Sequence, residues 1–224
     1  MEIKKRQLKK QGKYINMPTI YKENKGLIKF LYEHNLIQNF IANPVGYSYK
    51  DDMCLANIVE ATVPENTTLL ASGKNKIIES NIKGTLNGIN EPQSLLEVEF
   101  GETKKNLPYA YEIVKICMLG KDGKTPKRVS YTLNLNIKYK NYCGYINADF
   151  SECGMTGVRE SMVMAMIDNL VGIDNLKSYF YTPFKVGKKG VQINICEKKI
   201  WDDLVPQHPL SQLRKMVDFI IENN

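Results

Sequence analysis

The chain has 224 residues, 43% hydrophobic and 25% charged, with a formal net charge of +7. That length is enough for one large domain that buries its own core without disulfide or metal staples. No stretch reaches the roughly 18 consecutive apolar residues of a membrane span, and the basic start lacks the apolar core of a secretory signal. These features argue against a membrane partner and predict a cytoplasmic location.

The positive charge is unevenly placed. Lys4, Lys5, Arg6, Lys9, Lys10 and Lys13 stand against Glu2 alone within the first 13 residues, which leaves the remainder nearly balanced. We therefore divide the chain into a basic arm over 1–13 and a single α+β domain over 14–224. An arm of this kind suits an anionic partner. Cys54, Cys117, Cys143, Cys153 and Cys196 form no Cys-x-x-Cys pair, and only His34 and His208 could assist them. We expect reduced thiols, no metal site and no cofactor.

A helix is expected over about 24–42, where Leu27, Phe30, Leu31, Ile37, Phe40 and Ile41 recur at helical spacing before Pro44. "CLANIVEATV" (54–63), "KIIESNIKGTL" (76–86) and "SLLEVEFG" (94–101) then read as strands. "YAYEIVKICML" (109–119) reads as a central strand, apolar on both faces over its second half. The strongest pattern is "RVSYTLNLNIKYK". Val129, Tyr131, Leu133, Leu135, Ile137 and Tyr139 point one way, and Ser130, Thr132, Asn134, Asn136 and Lys138 point the other. "YINADF" follows after a turn, so residues about 109–150 form an antiparallel meander.

The meander feeds a helix over about 157–171. Its almost unbroken apolar run, Met162 to Ile167, predicts burial between layers. "KGVQINICEKK" (189–199) alternates as a strand. Pro209 opens a last helix, about 209–222, with Leu210, Leu213, Met216, Val217, Ile220 and Ile221 as its buried stripe. The fold class expected is α+β, a mostly antiparallel sheet with the helices at 24–42, 157–171 and 209–222 packed on one side.

Three places could carry function. The hairpin loop "GKDGKTPKR" adds Lys121, Lys124, Lys127 and Arg128 to the cations of the arm, and together they form a candidate phosphate-backbone grip. The corner "SECGMTG" joins a strand to a helix N-terminus, where free N–H groups attract anions. Gly154, Thr156, Gly157 and Arg159 are its candidate phosphate-binding residues; the structural alternative makes Thr156 a simple N-cap. Asp149 and Glu152 sit at a strand end, where paired carboxylates can gather a divalent metal, although solvated strand-end charges are the simpler expectation. No Gly-x-Ser-x-Gly elbow is present, and no catalytic residue is assigned.

The order helix, β-meander, buried helix over roughly residues 24–172 resembles in outline the core of single-strand annealing proteins, the phage recombinases among them. That resemblance implies an oligomer holding single-stranded DNA in a basic groove. The Lys-, Asn- and Ile-rich composition fits an AT-rich bacterial or phage genome. The leading expectation is a non-enzymatic nucleic-acid-binding protein, single-stranded DNA favoured. The alternatives are a protein-binding module, such as a phage-encoded inhibitor or assembly subunit, and a nucleotide or phosphate binder at the 154–159 loop.

Overall fold

A computed structural model describes residues 41–43, 46–50, 52–86, 93–120, 126–154, 156–172 and 178–224. Strands β1 (Ile41–Asn43), β2 (Gly46–Lys50) and β3 (Cys54–Val63) lead into two helices, α1 (Leu69–Ser72) and α2 (Lys74–Leu86). The meander follows as β4 (Gln93–Glu102), β5 (Pro108–Leu119), β6 (Pro126–Lys138) and β7 (Cys143–Glu152). Helix α3 (Val158–Val171) comes next. After it come β8 (Phe180–Tyr181), β9 (Lys185–Val186), β10 (Lys189–Gly190), β11 (Ile193–Asn194) and the last helix α4 (Pro209–Asn223).

One antiparallel sheet organises the molecule, in the order β1-β2-β3-β7-β6-β5-β4. Its five long strands are β3, β7, β6, β5 and β4. The α+β class and the antiparallel meander are as the sequence implies. The period of two in β6 sorts its side chains as expected: Tyr131, Leu133, Leu135 and Ile137 enter one core with Ile113 of β5, Ala148 and Phe150 of β7, and Ile58 of β3. Helix α4 closes this face with Leu210, Leu213, Met216, Val217 and Ile220. Each fully buried side chain of this size contributes roughly 1.5–3 kcal/mol of transfer free energy, so the α4 face holds most of the apolar stabilisation. The last turn of α4 is tied down as well. Lys104 N–H donates to the Ile221 carbonyl at 3.1 Å and Lys105 N–H to that of Asn224 at 2.7 Å, which satisfies acceptors that a helix end leaves open.

The opposite face is covered where the sequence suggested only water. Residues 76–86 are helix α2, not a strand. Thr68 caps the preceding α1, accepting from Ala71 N–H at 3.2 Å. Ile77 and Ile78 of α2 then pack with Leu95, Val98 and Val114. The face of β6 expected to be wet is therefore half closed: Ser130 and Asn136 are buried, while Lys138 stays exposed. α3 and α4 do lie on the side expected for them.

Strand β4 contains a bulge between Leu95 and Glu97, so Leu96 has no single partner on β5. Its effect is to place both Leu96 and Glu97 on the α4 face, Leu96 in the core and Glu97 within reach of Arg214.

Three further expectations change. The helix expected over 24–42 lies outside the described residues except for Ile41 and Ala42, which pair in β1. The strand expected over 189–199 is two short strands followed by 3-10 turns at Ile195–Glu197 and Lys199–Trp201. Helix α3 is a surface helix rather than a buried layer. Only Arg159, Val163 and Ile167 are buried, at every fourth position, while Met162, Leu170 and Val171 are 41%, 68% and 55% exposed.

Candidate functional site

The corner between β7 and α3 is built from two glycines in the left-handed region, Gly154 at φ +64° and Gly157 at φ +75°. At Gly154 a Cβ would sit 2.7 Å from the Asp52 carbonyl oxygen, so only glycine fits. Gly157, not Thr156, is the N-cap of α3, and Thr156 is exposed. The Gly157 N–H, one of the donors an anion would need, points at the Glu152 carboxylate at 3.3 Å.

Arg159 is wholly buried, and its guanidinium is committed within the fold. Nε donates to the Cys196 carbonyl at 2.6 Å, Nη1 to Ser211 Oγ at 2.7 Å, and Nη2 to the Lys198 carbonyl at 3.0 Å and to Asp202 at 2.8 Å. The expected phosphate contact from Arg159 is therefore corrected: the residue holds α3 to the 195–204 segment and does not face solvent. An arginine in an apolar-looking helix can as well be an interior clamp as a ligand, and the sequence does not separate the two.

Around Arg159 runs a buried charge network. Asp202 also accepts from Arg214 Nη1 at 2.9 Å; Arg214 Nε reaches Glu97 at 2.5 Å and its Nη2 the Glu197 carbonyl at 2.6 Å. Lys115 pairs closely with Glu197 and lies 3.7 Å from Glu160. Burial alone would lower the Lys115 pKa, but Glu197 and Glu160 outweigh it and hold it above the usual lysine value. Glu152 meets His208 Nε2 at 3.2 Å, and the His208 ring packs edge-on against Tyr131. Burial pushes the Glu152 carboxyl up, yet its bonds to His208 and Gly157 bring it below the ordinary glutamate value. His208 also caps α4, its Nδ1 accepting from Leu210 N–H at 3.2 Å. These groups cross-link β4, β5, β7, α3 and α4. Each of these cations has an anionic or carbonyl partner, which is the arrangement of a structural lock.

Asp149 and Glu152 do not converge. Three residues apart on one strand, they fall on opposite faces, Asp149 beside Arg128 at 3.9 Å and Glu152 beside His208. Among the described residues no group of three His, Cys, Asp or Glu could hold a metal ion.

Of the candidate basic residues, Lys4, Lys5, Arg6, Lys9, Lys10, Lys13, Lys121 and Lys124 lie outside the described residues. Lys127 is exposed. Arg128 is half-buried and committed within the sheet, donating to Ser151 Oγ at 2.6 Å and lying 3.9 Å from Asp149. The structure adds a basic element that strand reading obscured. The β9–β10 hairpin exposes Lys185, Lys188 and Lys189, and the 178–194 segment around it contains no acid. Phe184, next to this hairpin, packs against the cluster that α2 forms with β4 and β5, which includes Ile77, Leu95, Val98 and Val114. Phe180, two residues before Thr182, is 51% exposed. Lysine density with a neighbouring glycine was the available signal, in "KVGKKG".

No family model and no curated protein matches the chain. Among solved structures, it is similar to cyanobacterial PsbP (CyanoP) from Synechocystis sp. PCC 6803, at 14% identity and a TM-score of 0.35, over 58% of this chain and 78% of that one. Within the described residues, no helix is long and apolar enough to cross a membrane.

Proposed function

We propose that the protein is a non-enzymatic nucleic-acid-binding protein, with single-stranded DNA as the favoured ligand. The observation that carries this reading is the acid-free hairpin with its three exposed lysines, preceded by exposed Phe180. Lysines free of carboxylate partners grip a phosphate backbone, and an exposed ring offers a stacking surface that is indifferent to base identity. The arm over 1–13 and Lys121, Lys124 and Lys127 of the 121–128 loop add further cations, whereas Arg128 of that loop is taken by Ser151 and Asp149. Fluorescence anisotropy with labelled single-stranded DNA, duplex DNA and RNA tests it across salt concentrations. Binding should be tightest to single strands. Replacing Lys185, Lys188 and Lys189 by Gln should weaken it and lower the salt slope by about 2, at roughly 0.7 for each phosphate no longer neutralised. An absence of binding at low salt, or an unchanged slope in the variant, overturns the proposal.

A second reading, a protein-binding module, is supported by α3, whose outward side carries exposed Met162, Leu170 and Val171. A nuclease-resistant partner in a pull-down, lost on Leu170→Asp, would favour it over the first.

A further inference from the structure

We infer a second site, a small-amine pocket on the face of the sheet that carries α1. It is a cavity of about 250 Å³ walled by Val63 and Leu69 and floored by Glu112, Asn134, Asn136 and Tyr145. The four floor residues come from three adjacent strands. Glu112 and Asn134 are directly paired across β5 and β6, and Asn136 and Tyr145 across β6 and β7.

The polar groups are held rigidly by one another. Asn81 and Asn134 each donate an amide N–H to a different oxygen of Glu112, both at 2.9 Å. Tyr145 donates its hydroxyl to Asn134 Oδ1 at 2.7 Å, where Asn147 also donates at 2.9 Å. Asn136 Oδ1 is taken by the Leu69 N–H at 2.9 Å. What remains for a ligand is led by acceptors, the second lone pairs of the Glu112 oxygens and those of the Tyr145 hydroxyl, beside the second amide N–H of Asn134 and of Asn136.

Charge narrows the class further. Among the described residues Glu112 has no lysine, arginine or histidine partner; both of its hydrogen-bond donors are neutral amides. The nearest cation on the same strand face, Lys138, is bound to Glu65 instead. Burial raises the Tyr145 phenol pKa; the bond with Asn147 works against this, the Glu112 charge adds to it, and the hydroxyl stays protonated. A carboxylate without a countercharge, a phenol ring and two aliphatic walls match a primary alkylammonium: the ammonium on Glu112 and Tyr145, the alkyl chain along Val63 and Leu69. The volume accommodates a molecule the size of a short diamine. This site is independent of the nucleic-acid reading and lies on other residues.

Isothermal titration of the full chain with 1,4-diaminobutane, and with 1,4-butanediol as its uncharged match, provides the test. The diamine should bind saturably at one site with Kd below about 1 mM, and the diol should give no saturable heat. Glu112→Gln should weaken the diamine at least tenfold, and Tyr145→Phe by a smaller factor. Should Glu112→Gln fail to fold, chemical-shift changes in the unaltered protein decide instead: they should centre on Asn134 and Tyr145. No saturable diamine binding, equal binding of the diol, undiminished binding by Glu112→Gln, or shifts confined elsewhere would each overturn the inference.

Discussion

The two faces of the sheet are stabilised by different means. Under α4 the side chains are large, apolar and fully buried, and the charges at the margin are paired into a lock. Under α1 and α2 the apolar patch is small, and beside it runs a lattice of amides centred on Asn134, Asn136 and Glu112. Packing tolerates no voids but is indifferent to direction; hydrogen bonds fix direction and contribute modestly. One face is therefore built to hold the fold together, and the other is built to hold particular atoms in place.

Substitutions on either side should reveal that difference. The largest effect is expected for Leu133→Ala, which opens a cavity in the centre of the α4 face and should cost about 3–5 kcal/mol in denaturant unfolding. A cost below about 1 kcal/mol would mean that this face is not the principal core.

Glu60 provides the next. It lies at the margin of the α4 face, 6% exposed, and neither carboxylate oxygen has a hydrogen-bond partner among the described residues. Burial pushes its pKa up to about 8. The folded state thus holds a proton that the unfolded state releases near the ordinary glutamate value. Stability from this group is complete below about pH 4.5 and is lost progressively as pH rises to about 8. Glu60→Gln should remove that dependence and stabilise the protein at pH 7, by roughly 3 kcal/mol. Unfolding curves between pH 5 and 9 check this; parallel pH profiles for the two proteins would refute it.

The smallest effect is on the amide face. Asn136→Ala strips the Leu69 N–H of its acceptor and should cost about 1–3 kcal/mol. Faster amide exchange confined to α1 would mark the loss as local, whereas acceleration across β6 would show that the amide lattice carries the sheet.

Much of the sheet was legible because period-two alternation is imposed directly by strand geometry. Cys54–Val63 and the meander of β5, β6 and β7 fall within a few residues of their expected limits. Helix α2 was not legible. Its isoleucines at 77, 78 and 82 favour a strand by local preference, and packing of Ile77 and Ile78 against Leu95, Val98 and Val114 makes a helical stripe instead. The apolar run of α3 misled in another way. Hydropathy gives the number of apolar residues but not which side docks, and here the docking side is led by an arginine. The charge lock was illegible for a related reason: Lys115, Glu152, Glu197, Asp202 and Arg214 are far apart in the chain, and only the fold reveals that they are neighbours. The amide lattice was half visible, as an alternating row of Asn134 and Asn136 whose cover by α1 could not be inferred.

The bulge at Leu96 gives β4 an unequal tolerance to changes in length. A chain that lost Leu96 would keep Leu95 opposite Val114 and Glu97 opposite Ile113, forfeiting one core side chain but no register. Loss of a residue between Val98 and Phe100 would instead shift one side of the gap by a position and exchange the faces its side chains serve. Over evolutionary time, single-residue deletions and insertions should therefore accumulate at this joint in the edge strand and be purged from the rest of it.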